Sequence, residues 1–180
     1  RLLEALGNYA LGVLADLGGS AQVGLAALLR LHRRPFEVRR TTREFAVVGF
    51  ESVGVVGVLG MFVGMVLVVT VAQTLERFGA QRYVSEGVAL AMVKELGPVL
   101  AGFLLAGRIG SGIAAEIGAM RISEQVDAMR SLGADPIKKL VVPKMTACLI
   151  SLPLLTVVAN AIGVLGGMAM AYVMLGVAPV

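Results

Sequence analysis

Hydrophobic positions in this chain run in long stretches, without the alternation of a half-buried strand or the single stripe of a soluble helix. Residues 52–75 and 145–180 contain no Asp, Glu, Lys or Arg. A run of about 20 apolar residues is enough for a helix to cross the hydrocarbon of a bilayer. A soluble globule of this size has no use for two such runs. The pattern predicts an all-α integral membrane protein with a first spanning helix over about 45–75. Within it Gly54, Gly57, Gly60 and Gly64 recur every three or four residues and share one face. Missing side chains there let another backbone approach closely, and helix packing alone accounts for such a stripe. Glu51, near the start of the span, fits either a cavity-facing or a snorkelling position.

The second span is predicted over about 88–107. It carries Lys94 and Glu95, which as helix neighbours do not face each other, and Gly97-Pro98, which predicts a kink. The third, over about 145–175, would reach roughly 45 Å against a core of about 30 Å, so tilt or a kink near Pro153 is expected to absorb the excess. Asn160, Gly163, Gly166 and Gly167 give it polar and close-packing positions. Residues 1–44 read differently. Leucines and valines recur there, but Glu4, Asn8, Asp16 and a break at Gly18-Gly19-Ser20 interrupt them, and Pro35 marks a turn. An amphipathic helix lying in the cytoplasmic interface fits that segment. No cleavable secretory signal is expected, and the ends at Arg1 and Val180 suggest a portion of something longer.

Composition agrees with the membrane reading. Apolar residues make up 57% of the chain, charged residues 16%, and the mean hydropathy is +0.86. Soluble domains are about 45–50% apolar and about 25% charged. The net charge of +4 would matter for nucleic acid only with a basic, aromatic-interleaved face, which is absent. Instead, Arg30, Arg33, Arg34, Arg39, Arg40 and Arg43 precede the first span. Arg108, Arg121, Arg130, Lys138, Lys139 and Lys144 populate 108–144, while the loop at 76–87 has only Arg77 and Arg82. Positive charge stays inside, so the N-terminus and 108–144 are expected in the cytoplasm, where the arginines can also meet anionic headgroups. Cys148 reads as a small buried hydrophobe, and His32 is a lone histidine with no assigned site.

The segment 107–136 carries the most information. Gly110-Ser-Gly112-Ile-Ala-Ala115 resembles a dinucleotide fingerprint, but that motif needs a preceding strand, and a spanning helix precedes it here. Further on, Ser123 with Glu124, Asp127 and Arg130 has the look of a helix start, and Gly133 with Asp135-Pro136 ends it. The residues leave two readings open, an ordinary loop with a surface helix or an element that passes force from a cytoplasmic motor. The chain has no Gly-x-x-x-x-Gly-Lys-Ser/Thr loop, and no paired-carboxylate, Cys/His or Ser/His constellation. A non-catalytic protein that binds no cofactor of its own is expected.

Phe62-Val-Gly-Met-Val-Leu67, Lys94-Glu-Leu-Gly-Pro-Val, Ala106-Gly-Arg-Ile-Gly-Ser, Ala115-Glu-Ile-Gly-Ala-Met-Arg, Glu124-Gln, Asp135-Pro and Ile150-Ser-Leu-Pro-Leu-Leu resemble, in order, the MlaE/YrbE family of permeases. The likeness covers about 45–170; residues 1–44 agree in character only. The resemblance implies the membrane subunit of an ABC transporter that works with an MCE-domain protein and moves phospholipid between membranes. Two permease copies would pair with two cytoplasmic ATPases, which bind ATP and Mg, in a bacterial inner membrane. The region 108–144 would hold the coupling helix, at about 122–132, with Glu116, Arg121, Glu124, Asp127 and Arg130 toward the ATPase. Leu67, Val71, Leu75 and Phe78 would line the lipid cavity, with Lys94 and Glu95 near its outer part. Family members continue for two further spans, so this chain is expected to be truncated. The alternatives are an importer permease for a small polar solute, or a scaffold that anchors MCE proteins without transport. The mostly Val, Leu, Met and Gly composition of the first and third spans disfavours the importer.

Overall fold

The computed structural model describes residues 2–31 and 38–175, with side chains described over 7–29 and 39–174 except at 82. His32, Arg33, Arg34 and Pro35, and the side chains of Arg30 and Arg82, lie outside the described residues. Among the described residues every regular element is helical, and four helical stretches are long and apolar enough to cross a membrane.

Helix α1 spans Leu2–Leu31 without interruption. The break expected at Gly18-Gly19-Ser20 is therefore absent. A helical glycine costs only about 1 kcal/mol relative to alanine, and the Ser20 hydroxyl donates to the Asp16 carbonyl oxygen at 2.8 Å inside the helix. By length and composition Gly7–Leu29 qualifies as a fourth crossing helix. It keeps few buried contacts, chiefly through Ala27, and touches the start of the last helix.

Helix α2, Val38–Glu76, starts earlier than the span expected over 45–75 because its basic first turns are also helical. A short 3-10 turn at Gln81–Tyr83 then leads to α3, Val84–Ala91. The second span is a longer column than the expected 88–107. Here α3, a π turn at Met92–Leu96, α4 at Gly97–Leu104, a π turn at Leu105–Ile109 and α5 at Gly110–Ile122 follow without a break. The first π turn has an identifiable cause. Pro98 lacks an N–H and its ring crowds the carbonyl of Lys94 four residues back, and the widened turn falls where that carbonyl must move aside. After the short α6, Gln125–Ser131, a third π turn at Ile137–Val141 opens α7, Val142–Leu175, which runs through Pro153 uninterrupted.

The main interface joins α2 to α7 and is built on small residues. A Cβ at Gly60 would stand 2.9 Å from the Ala159 carbonyl oxygen, and one at Gly166 would stand 2.8 Å from that of Met61. Gly64 faces the Gly163 carbonyl, so the two backbones meet with no side chain between them. Gly57 packs under Ile162, whereas Gly54 meets nothing within 4 Å. Three of the four stripe glycines therefore serve the packing, and Gly54 does not. The second column crosses this pair. Asn160 lies against Gly97, and Met92 packs over Gly163. The core divides into one cluster around Val56, Leu105, Ala147 and Leu155 and another around Val68, Val88 and Met92. Outside both, large apolar side chains such as Phe50, Phe103, Val157 and Val173 are exposed, a surface suited to hydrocarbon and not to water.

Candidate functional site

Two regions at opposite ends of the bundle collect the chemistry. At one end α5 turns into α6. Ser123 does not start a helix as expected. Its backbone N–H and its hydroxyl both bond back to the Ala119 carbonyl oxygen, at 3.0 and 2.8 Å, and close α5. A serine beside unpaired terminal carbonyls serves a helix end as well as a start. Glu124 then takes a left-handed conformation, φ 56°, and its carbonyl accepts the first bond of α6, from the Ala128 N–H at 2.9 Å. Gly133 is also left-handed, φ 73°. The N–H groups of Gly133 and Ala134 donate to the carbonyl oxygens of Arg130 and Met129, each at 2.9 Å, ending α6 as its glycine predicts. The Asp135 carboxylate caps the next element by accepting the Ile137 N–H at 3.0 Å.

Arg121, Glu124, Asp127 and Arg130 all lie exposed on this corner. Asp127 and Arg130 meet across one turn at 3.4 Å, an exposed pair that adds little to stability. Ile122 and Leu132, 87% and 85% exposed, flank the charges as two apolar knobs. Glu116 is placed differently. It turns toward the bundle and meets the Lys144 ammonium at 2.5 Å. Lys144 is only 5% exposed and bonds Glu44 of α2 at 3.1 Å on its other side. Two turns further along α2, the Arg108 guanidinium donates to the Ser52 hydroxyl at 2.9 Å and to the Glu51 carboxylate at 3.3 Å. Glu51 therefore has a partner on the second column.

Sequence reading missed these ties, taking Lys144 and Arg108 as topology charges only. The chain offered a spacing but not the partners. Glu44 and Glu51 lie two turns apart on one face of α2, and Arg108 and Glu116 are spaced to match on the second column.

At the other end, where α2 turns into α3, a groove of about 620 Å³ is lined by Thr70, Val71, Thr74, Leu75, Tyr83, Glu86, Gly87 and Leu90. Of the six residues expected at a lipid cavity, it includes Val71 and Leu75. Leu67 is half-buried behind them against the Val68–Met92 cluster. Phe78 is 78% exposed just past the end of α2, and Lys94 and Glu95 are exposed on the first π turn without lining the groove. The hydroxyls of Thr70 and Thr74 donate to the Val66 and Thr70 carbonyl oxygens at 3.0 and 3.1 Å, so their protons stay within α2 and the lining remains largely apolar. Thr70, Thr74, Tyr83, Glu86, Gly87 and Leu90 gave no sequence signal, because they come from α2, α3 and the turn between them, whose pairing only the fold establishes. Among the described residues, no group of three or more His, Cys, Asp or Glu is placed to hold a metal ion.

A family model described as Permease MlaE matches residues 41–180. A probable ABC transporter permease protein of Rickettsia bellii is 38% identical over 167 residues, 93% of this chain and 64% of that protein. The intermembrane phospholipid transport system permease protein MlaE of Haemophilus influenzae is 32% identical over 167 residues with the same shares. The chloroplastic protein TRIGALACTOSYLDIACYLGLYCEROL 1 of Arabidopsis thaliana is 38% identical over 136 residues, 76% of this chain and 39% of that protein. The chain thus spans 64% of the length of the bacterial relatives named here.

Proposed function

The chain belongs to the MlaE permease family, and we propose that it forms the membrane subunit of an ATP-driven transporter that moves phospholipid between membranes. The observation that supports this best is the apolar groove between α2 and α3, at the opposite end from the α5–α6 corner. An acyl chain is held by burial of methylene surface, at roughly 25 cal/mol per Å². A small polar solute would need convergent polar groups, and with the hydroxyls of Thr70 and Thr74 spent on their own helix the groove offers Glu86 as its single charged lining residue among the described residues. Leu67, Val71, Leu75, Phe78, Lys94 and Glu95 belong to the lipid path in this reading, and a second permease copy supplies the facing wall.

The α5–α6 corner is the coupling element. Arg121, Glu124, Asp127 and Arg130, with Ile122 and Leu132 beside them, dock on a cytoplasmic ABC ATPase, where ATP and Mg are bound and hydrolysed. An MCE-domain protein exchanges lipid with the groove on the outer side. The basic segments favour a cytoplasmic N-terminus and corner in a bacterial inner membrane, which requires α1, although long and apolar enough to cross, to lie in the cytoplasmic interface.

Native mass spectrometry of the full-length permease, co-expressed with its chromosomal neighbours and released gently from detergent, tests the assembly. Two permeases, two ATPases and retained phospholipid are expected. A lone permease without ATPase or lipid would sink the reading.

A further inference from the structure

We propose that Lys144 is a positioning residue for coupling. Its ammonium, held between Glu44 and Glu116, ties the arm that carries the cytoplasmic helix to the packed spans, so that movement of the arm reaches α2 and α7. The inference rests on the transporter reading above.

Its basis is where rigidity lies in the molecule. Glycines lock α2 and α7 together backbone to backbone, so the two move as one body. By contrast, α5 buries no residue fully, although it leads directly into α6. An arm held by so little packing would bend under load before it moved its neighbours. Glu116 supplies what packing does not. Among the described residues it makes the one ion pair from α5 to another helix, at 2.5 Å to Lys144. The two residues are separated by 28 positions that include the whole of α6, so the pair closes the base of the corner. Lys144 passes the link on to Glu44 of α2 at 3.1 Å and stands on α7 itself. Three helices therefore meet at one ammonium.

The burial of that ammonium matters. A charge taken out of water is costly unless it is paired with good geometry. A lysine 5% exposed between two carboxylates is held in place in a way that a surface pair is not. Arg108, bonded to Glu51 and Ser52, forms a second rung between the same column and α2. The two rungs lie on the same side of the bundle as the corner, where a push from a motor would enter.

The test uses the full-length permease with its ATPase, reconstituted in phosphatidylethanolamine–phosphatidylglycerol vesicles with a fluorescent phospholipid as the probe. Lipid moved per ATP hydrolysed is the readout. Lys144→Met is expected to lower this ratio about fivefold or more, in the range typical of coupling between sites, and Lys144→Arg to restore most of it. Because Lys144→Met leaves two carboxylates facing each other, a neutral triple variant, Glu44→Gln, Lys144→Met and Glu116→Gln, accompanies it. The triple variant is expected to keep the wild-type thermal midpoint while its lipid-to-ATP ratio falls, which a merely structural staple would not produce. A triple variant that moves as much lipid per ATP as the wild type overturns the inference alone. A wild-type complex that moves no lipid with ATP overturns the transporter reading, and the inference with it.

Discussion

Single positions in this protein differ sharply in what they tolerate, and the backbone around them sets the difference. Gly60 stands where an added methyl would press on the Ala159 carbonyl, which is fixed backbone and cannot rotate aside. Gly60→Val should therefore destabilise by at least the about 1–3 kcal/mol typical of overpacking, read as a lower thermal midpoint in detergent. Gly54 belongs to the same sequence stripe but meets nothing within 4 Å, so Gly54→Ala should be neutral or slightly stabilising in the same measurement. Glu124 gives the reverse case. It is the one non-glycine described with a positive φ, and for an L residue the left-handed region costs roughly 1–2 kcal/mol. Glu124→Gly should keep or raise stability yet weaken capture of the ATPase, if the carboxylate is there for contact. Thermal unfolding beside co-purification separates the two effects. Equal ATPase capture by the glycine variant would remove Glu124 from the coupling surface.

Among the elements, the second column is the least regular, and its first irregularity has a local cause. Pro98 removes one backbone donor, and the π turn at Met92–Leu96 forms just before it. Restoring the N–H with Pro98→Ala should let residue 98 bond the Lys94 carbonyl. Hydrogen exchange across 92–98 should then slow, and unchanged exchange there would show that the π turn has another cause. The short α6 is held by its caps and its backbone, since Asp127–Arg130 is an exposed pair of little energetic weight. Arg130→Ala should consequently shift stability by about 1 kcal/mol or less. Any large loss of ATPase binding in that variant belongs to the contact surface and not to unfolding.

For the whole molecule, the governing fact is that its spanning helices expose large apolar side chains. Core clusters rich in Val, Ala and Leu sit beneath a surface carrying exposed Phe, Val and Leu, which only a hydrocarbon solvent tolerates. The proposed orientation rests on the charge distribution and is open to test. With Cys148 replaced by Ala, a cysteine at Phe78 should react with an impermeant maleimide from outside the cell. A cysteine at Ser131 should react only after permeabilisation. The opposite pattern would invert the topology and exchange the roles of the groove and the corner.

The membrane class and the long apolar helices after residue 38 were legible in the chain because each depends on local composition. Charge-free runs such as 52–75 cannot be accommodated in water, and the resemblance through Lys94–Pro98 and Ala115–Arg121 pointed to the permease family. Boundaries drifted because the mixed segment Gly110–Ile122, with Glu116 and Arg121 in it, breaks the apolar run but not the helix. Tertiary structure alone decided which charges meet. Lys144 and Glu44 lie 100 positions apart, Arg108 and Ser52 lie 56 apart, and the groove takes its walls from separate helices. A charge seen along the chain has a sign and a depth, but its partner depends on which helix faces pack together. Here that choice rests on glycines, whose missing side chains let α2 and α7 meet backbone to backbone.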